Sequence, residues 1–354
     1  MRIEDIDKNF KNLELDGIEL KFSPAGSDHF SLSGFPWYEK EQIFNRLPQA
    51  LIPDTSVGVQ QLSWHSSGAQ LRFKTNSTCI AVKAKLTESG DMSHMARSGS
   101  GGFDLFEGSG VNKRFSANVR QENSSDEIFA LFRQGLDKEM REWTIYFPLY
   151  NGVSELEIGL DTDAEIEAPE AFAYEKPILF YGSSITQGGC ASRPGNSYTA
   201  IITRRLNANM VNWGFSGNGC GEANMAEAIA SLDMAAFVLD YDHNAMTPEH
   251  LQNTHEFFFK TIREANPDLP IVMVSKPDIK GHEEDFKRRE IIRQTWKNAI
   301  DAGDSNVYFV DGETLFTDSE RDICTVDGCH PNDIGFLRMA DGIYPIVKKA
   351  LSDE

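Results

Sequence analysis

The run ILFYGSSITQG, residues 178–188, decides how this chain is read. Ile178 to Tyr181 is a short, unbroken apolar run, as expected of a strand buried on both faces. Gly182-Ser183-Ser184 interrupts it with small residues. Beyond it, Tyr198, Ile201, Ile202 and Leu206 recur at helical spacing. The alternation then repeats toward the C-terminus. Apolar runs at 210–215, 237–241, 271–274 and 307–310 alternate with helical stretches near 222–232, from Thr247, near 283–302 and near 334–351. Thr247-Pro248 pairs an N-cap with a proline at the first helical position, where its missing N–H costs nothing. Five strands alternating with helices predict an α/β domain whose parallel sheet is covered on both faces.

Toward the N-terminus the period changes from helical to two. Leu71 and Phe73 alternate with polar residues. So do Ile80, Val82, Ala84 and Leu86, then Trp143, Ile145 and Phe147, then Leu156, Ile158 and Leu160. Such runs read as half-buried strands, with Glu155 and Glu157 on a wet face. The turn signals HSSG, TNS, ESGD, GSGG and YNG separate them. The spacing predicts an all-β sandwich or jelly roll, without a helix between about 55 and 160. The acidic stretch 161–177 carries two prolines and no clean period. It places the junction there, giving domains 1–172 and 173–354, or else holds a short edge strand.

A length of 354 residues fits two domains. The balance of 34 basic against 54 acidic residues leaves a net charge of −20, which disfavours nucleic acid and anionic membranes as partners. It is compatible with a monomer or a symmetric oligomer. No run approaches the ~18 apolar residues of a membrane span. The opening MRIEDIDKNFKNLEL lacks the basic start and apolar core of a signal peptide, so a cytoplasmic location is expected. Five cysteines, an odd and sparse set, read as free thiols, with a Cys324–Cys329 disulfide disfavoured.

In parallel sheets, ligands bind beyond the carboxyl ends of the strands. Four loops there carry chemistry. Ser184 follows the first strand, exposed either as a nucleophile or as a helix cap beside its neighbour. Gly217, after the second, can aim a backbone N–H at an oxyanion. Asn244, after the third, can donate its amide or merely cap a turn. His243 beside it reads as a neighbour of the site, a candidate substrate contact rather than its base. After the fifth, Asp327 stands three residues before His330, where a carboxylate can hold an imidazole as general base.

Taken together, in this order, these blocks make residues 177–354 resemble the SGNH, or GDSL, hydrolases. The resemblance implies a flavodoxin-like three-layer α/β/α fold. It implies Ser184 as nucleophile, His330 and Asp327 as base and acid, and Ser184, Gly217 and Asn244 as the oxyanion hole. Two departures stand out. Ser183 occupies the place of the family's aspartate, and Asp242-His243-Asn244-Ala245 keeps only the asparagine of its third block. Upstream, HMARSGSGGFDLF (94–106) resembles the signature of the GxDLY domain that precedes such hydrolases, with Phe106 in place of tyrosine. His94 and Arg97 on that loop are candidate substrate contacts; Phe103 and Leu105 read as core.

The expected activity is serine-esterase cleavage of a small acyl ester, acetyl above others, on a small molecule or oligosaccharide. The alternatives are a short-chain thioesterase or arylesterase, or a vestigial carbohydrate-binding protein. Cys324, Cys329 and His330 have no fourth partner at zinc spacing, and no P-loop or dinucleotide fingerprint appears. No metal or cofactor is expected.

Overall fold

Alternation along a buried strand sends successive side chains to opposite layers, and the C-terminal half is built on that rule. Its strands are Tyr174–Gly182, Ala208–Gly214, Ala236–Asp240, Ile271–Val274 and Val307–Val310. They are all parallel and lie in the spatial order 2-1-3-4-5. That is the doubly wound, flavodoxin-like order, with its switch point beside the first strand. Ile178, Phe180, Met210, Val238 and Val272 face one layer, packed on helices Tyr198–Leu206 and Asp333–Ala350. Leu179, Tyr181, Val211, Leu239 and Met273 face the other, packed on Ala223–Ala230, Pro248–Ala265 and Glu283–Asp301. The Thr247 cap forms as its sequence predicts, its hydroxyl accepting from His250 N–H at 3.1 Å.

This is a computed structural model describing residues 12–352 apart from 16, 123–124, 278–281 and 317–318. Most of the opening stretch read for a leader lies outside the described residues. No described helix is long and apolar enough to cross a membrane.

The N-terminal half is two antiparallel sheets. One runs Asn12–Leu15, Ile18–Pro24, Val153–Asp161, Ile80–Leu86, Glu127–Arg133 in space. The other runs Ile166–Glu167, Gln70–Thr75, Arg141–Tyr146, Phe103–Glu107, Arg114–Val119, with Ser31–Ser33 added beside Gln70–Thr75. Phe73, Val82, Phe103, Trp143 and Ile158 meet in the core between them. Ile166–Glu167 is the short edge strand that 161–177 could hold, and it pairs with Lys74 and Thr75. Glu155 is exposed on the wet face, while Glu157 is half-buried and paired with Lys83.

Phe103–Glu107 hides its period because both of its faces are covered. Phe103 and Leu105 point into the core between the sheets, and Phe106 joins the core of the C-terminal half. Two helices also occur where none is expected, Val57–Leu62 and Arg97–Ser100. The first buries only Val59 and starts at a Ser56 cap, so it is too short to show a 3.6-residue period.

The halves are joined by buried polar contacts as well as by packing. Arg46, fully buried, donates to the carbonyls of Asn212 at 2.9 Å, Gly214 at 2.7 Å and Leu62 at 2.6 Å. Burial lowers its pKa to about 9, and these carbonyls and the Phe215 ring at 4.6 Å are its company. Asp104, also fully buried, accepts from Asn118 Nδ2 at 2.9 Å, Arg193 Nη1 at 3.0 Å and Gly195 N–H at 2.8 Å. Two of those three donors come from the other half of the chain.

Candidate active site

The first strand ends at Gly182, where a Cβ would come within 2.0 Å of the Asp240 carbonyl, so only glycine lets the chain turn here. Ser183 then caps the short helix Ser184–Gln187, its hydroxyl accepting from Ile185 N–H at 3.1 Å. Ser183 thus does with a hydroxyl a job that a carboxylate can also do. Ser184 is the first helical residue and is only 4% exposed. Its Oγ lies 3.0 Å from His330 Nε2. The other ring nitrogen of His330, Nδ1, lies 2.8 Å from Asp327 Oδ2.

Asp327 also accepts from the backbone N–H groups of His330, at 2.8 Å, and Cys329, at 2.9 Å. Partial burial pushes its carboxyl up, but these bonds and the imidazole outweigh burial and hold it at about 2. His330 is raised to about 9, by contact with the Cys329 thiol and then by Asp327, against the opposing effect of burial. Burial likewise raises Cys329, but the imidazoles of His243 and His330 overcome this and bring the thiol down to about 6.

The two loops beside Ser184 supply N–H groups. Gly217 has φ +68°, a left-handed conformation, and the space where its Cβ would point is open. Among the described residues, neither its N–H nor that of Ser184 has a partner. Asn244 Nδ2 donates to Phe215 O at 2.9 Å, holding the amide against the Gly217 loop with one of its two protons.

The sequence reading did not anticipate how much of this site the N-terminal half supports. Tyr150 O–H donates to the Ser184 carbonyl at 3.1 Å. Burial raises its pKa, so it stays a donor. Gln187 donates to His65 Nδ1 at 3.0 Å and to Leu149 O at 3.1 Å, and its Oε1 accepts from Ser216 N–H at 3.0 Å. His65, lowered to about 3 by burial and by Arg46, stays neutral and accepts. Ser67 Oγ donates to Gln187 O at 2.6 Å. Tyr150 sits in the YNG signal and His65 opens the HSSG signal, and both read only as turns.

The outlying candidates divide. The His94 ring centroid stands 6.1 Å from that of His330. His243 Nε2 lies 2.8 Å from Cys329 Sγ. Arg97 pairs with Asp91. The described cysteines are all free thiols.

The GDSL-like lipase/acylhydrolase family model matches residues 175–348. The model of the GxDLY N-terminus of SGNH-hydrolase-type esterases matches residues 20–166. A GDSL-like lipase from Bacteroides ovatus superposes with a TM-score of 0.84 and 30% identity, over 94% of this chain and 98% of its own. A salicylyl-acyltransferase from a tetracycline biosynthetic pathway gives 0.77 and 17%, over 93% and 97%. An acetyl xylan esterase from the rumen bacterium Butyrivibrio proteoclasticus gives 0.59 and 13%, over 94% and 99%. No curated protein matches the chain by sequence. With the family's N-terminal and hydrolase domains both matched and a 30% identical relative aligned almost end to end, the chain belongs to the GDSL-like lipase/acylhydrolase family, as an ester-hydrolysing enzyme with a GxDLY domain.

Proposed function

We propose that this enzyme removes a small acyl group, acetyl above others, from an ester on a carbohydrate, through an acyl-enzyme on Ser184. The observation that carries the reading is the relay from Ser184 Oγ to His330 at 3.0 Å and on to Asp327 at 2.8 Å, beside two unpartnered N–H groups. His330 takes the Ser184 proton as Oγ attacks the ester carbonyl. Asp327 orients the ring and stabilises the imidazolium that forms. The N–H groups of Ser184 and Gly217 and the second Asn244 amide proton hold the tetrahedral oxyanion. His330 then protonates the leaving sugar oxygen, and water repeats the attack to release the acid.

Three points support the substrate. The His94 ring lies 6.1 Å from that of His330 and His243 touches Cys329, polar groups suited to a hydroxylated acceptor. The sequence of the loops carrying the site holds no long apolar run that could form a lid for a fatty acyl chain. The likeness to an acetyl xylan esterase runs over nearly the whole chain. The vestigial reading loses one of its two motives, since Ser183 caps the nucleophile helix in the aspartate's place. We place the domain boundary at 172/173 and read the paired N-terminal sheets as a jelly-roll-like module that buttresses the nucleophile.

The test is hydrolysis of 4-nitrophenyl esters of rising chain length by wild type and Ser184→Ala, followed by acetylated xylo-oligosaccharides. The reading requires Ser184-dependent turnover that is highest on acetate and extends to the acetylated sugar. Preference for long acyl chains or for thioesters would overturn it.

A further inference from the structure

Cys329 has no part in the hydrolytic steps, yet it lies among the groups that perform them. Its Sγ is 2.8 Å from His243 Nε2. Ligand atoms of Asp327, Cys329 and His330 lie within 4.8 Å of one another. Sequence spacing offered no further partner for a metal here. The fold provides one, because the loop after Ala236–Asp240 brings His243 against the loop after Val307–Val310, 86 residues away.

Thiolate, imidazole and carboxylate are the donors zinc prefers. Zn–S near 2.3 Å and Zn–N near 2.0–2.1 Å put neighbouring donors of a tetrahedral site roughly 3–4 Å apart. The Cys329–His243 contact needs to open by less than about 1 Å to meet that spacing. We propose that Asp327, Cys329 and His330, joined by His243 through its contact with the Cys329 thiol, form an inhibitory site for a thiophilic divalent cation, zinc above others.

On binding, the proton shared by the Cys329–His330 pair goes to water, and the Cys329 sulfur is given to the cation. The imidazoles contribute lone pairs. A neutral imidazole has one lone pair, its other nitrogen carrying the proton. With that pair on the cation, His330 has no position left to accept the Ser184 proton, and turnover stops. Cation binding stands by itself; only the inhibition rests on His330 acting as base.

The experiment titrates chelator-treated protein with cobalt(II) and, separately, measures zinc inhibition of 4-nitrophenyl acetate hydrolysis. One equivalent of cobalt should give a near-ultraviolet sulfur-to-metal band that zinc abolishes. The band should survive in Cys220→Ala, whose thiol is the other partly exposed one, and vanish in Cys329→Ala. His243→Ala should weaken cobalt binding by at least the roughly 10–100-fold that even outer-sphere partners are worth. Zinc should inhibit wild type and lose at least tenfold in potency on Cys329→Ala. A missing thiolate band, a band kept in Cys329→Ala, or equal zinc potency on both proteins would overturn the proposal. If wild type hydrolyses no ester, the proposed function fails while the cobalt titration still decides the site.

Discussion

The two sides of this active site are held in different ways. Ser184 is buried and gripped from two directions. Its own half supplies the Ser183 cap and the tight turn at Gly182, and the other half supplies Tyr150 on its carbonyl and His65 and Ser67 on Gln187. The Asp327–His330 loop is partly exposed, and its own backbone does most of the holding. Asp327 gathers two N–H groups and the ring, and Val326 N–H closes the loop on His330 O at 3.0 Å. The position of Ser184 is therefore a property of the whole molecule. The position of His330 is a property of about ten residues. Substitutions in the N-terminal half should act on the first side only, and changes of solvent or pH should act mainly on the second.

The largest expected effect comes from breaking the relay between the two sides. His330→Ala should lower kcat by about 10⁴–10⁶, as loss of a base does in comparable triads, with unchanged circular dichroism. Less than a hundredfold loss would mean that another group takes the proton. Next comes the amide between them. Asn244→Ala should cost about 10²–10³ in kcat with little change in KM, because the oxyanion exists only after attack. A variant that loses KM alone would make Asn244 a substrate clamp.

The buttress is tested by Asp104→Ala, which leaves Arg193 and Gly195 N–H without their carboxylate. Breaking a buried pair costs about 3–5 kcal/mol, and the partial exposure of Arg193 brings the expectation to about 2–3 kcal/mol. It should appear as a lower denaturant midpoint. The pKa of His330 should not move, since the base loop does not depend on this clamp.

The smallest effect sharpens the second side. In the proposed mechanism His330 acts as a base only when neutral, and its pKa is raised to about 9, chiefly by Cys329. In chelated wild type, kcat/KM should therefore rise with pH through about 9. In Cys329→Ala the same limb should fall toward the ordinary imidazole range near 6.5, so activity at neutral pH increases. An unchanged limb would mean that Cys329 does not govern the base.

What was legible in the sequence follows from where information is local. The parallel sheet showed because each of its strands is buried on both faces and its helices are long enough to display a period. Ser184, Gly217, Asn244, Asp327 and His330 showed because a parallel sheet sends its strand ends to one edge, so four separate loops could be read as one place. The buttress did not show. Arg46 meets Asn212 across 166 residues, Asp104 meets Gly195 across 91, and Tyr150 meets Ser184 across 34. Tyr150 lies in a stretch that reads only as a turn, nothing in the sequence around Arg46 names its partner, and the GxDLY signature around Asp104 names a domain without naming Gly195. Phe103–Glu107 was half legible: Phe103 and Leu105 read as core, but the burial of Phe106 on the other face blurs the alternation that would announce a strand. His243 and Cys329 were each visible and discounted, because their meaning lies in their contact.

The account turns on Ser184 as the group that carries the acyl chain, with a perturbed thiol, Cys329, close to the same base. Brief reaction with 4-nitrophenyl acetate, acid quench and peptide mass mapping decides between them. The account predicts one acetyl group on the peptide holding Ser184, absent from Ser184→Ala. Acetyl found on Cys329, or turnover with Ser184 never labelled and its alanine variant fully active, would contradict it.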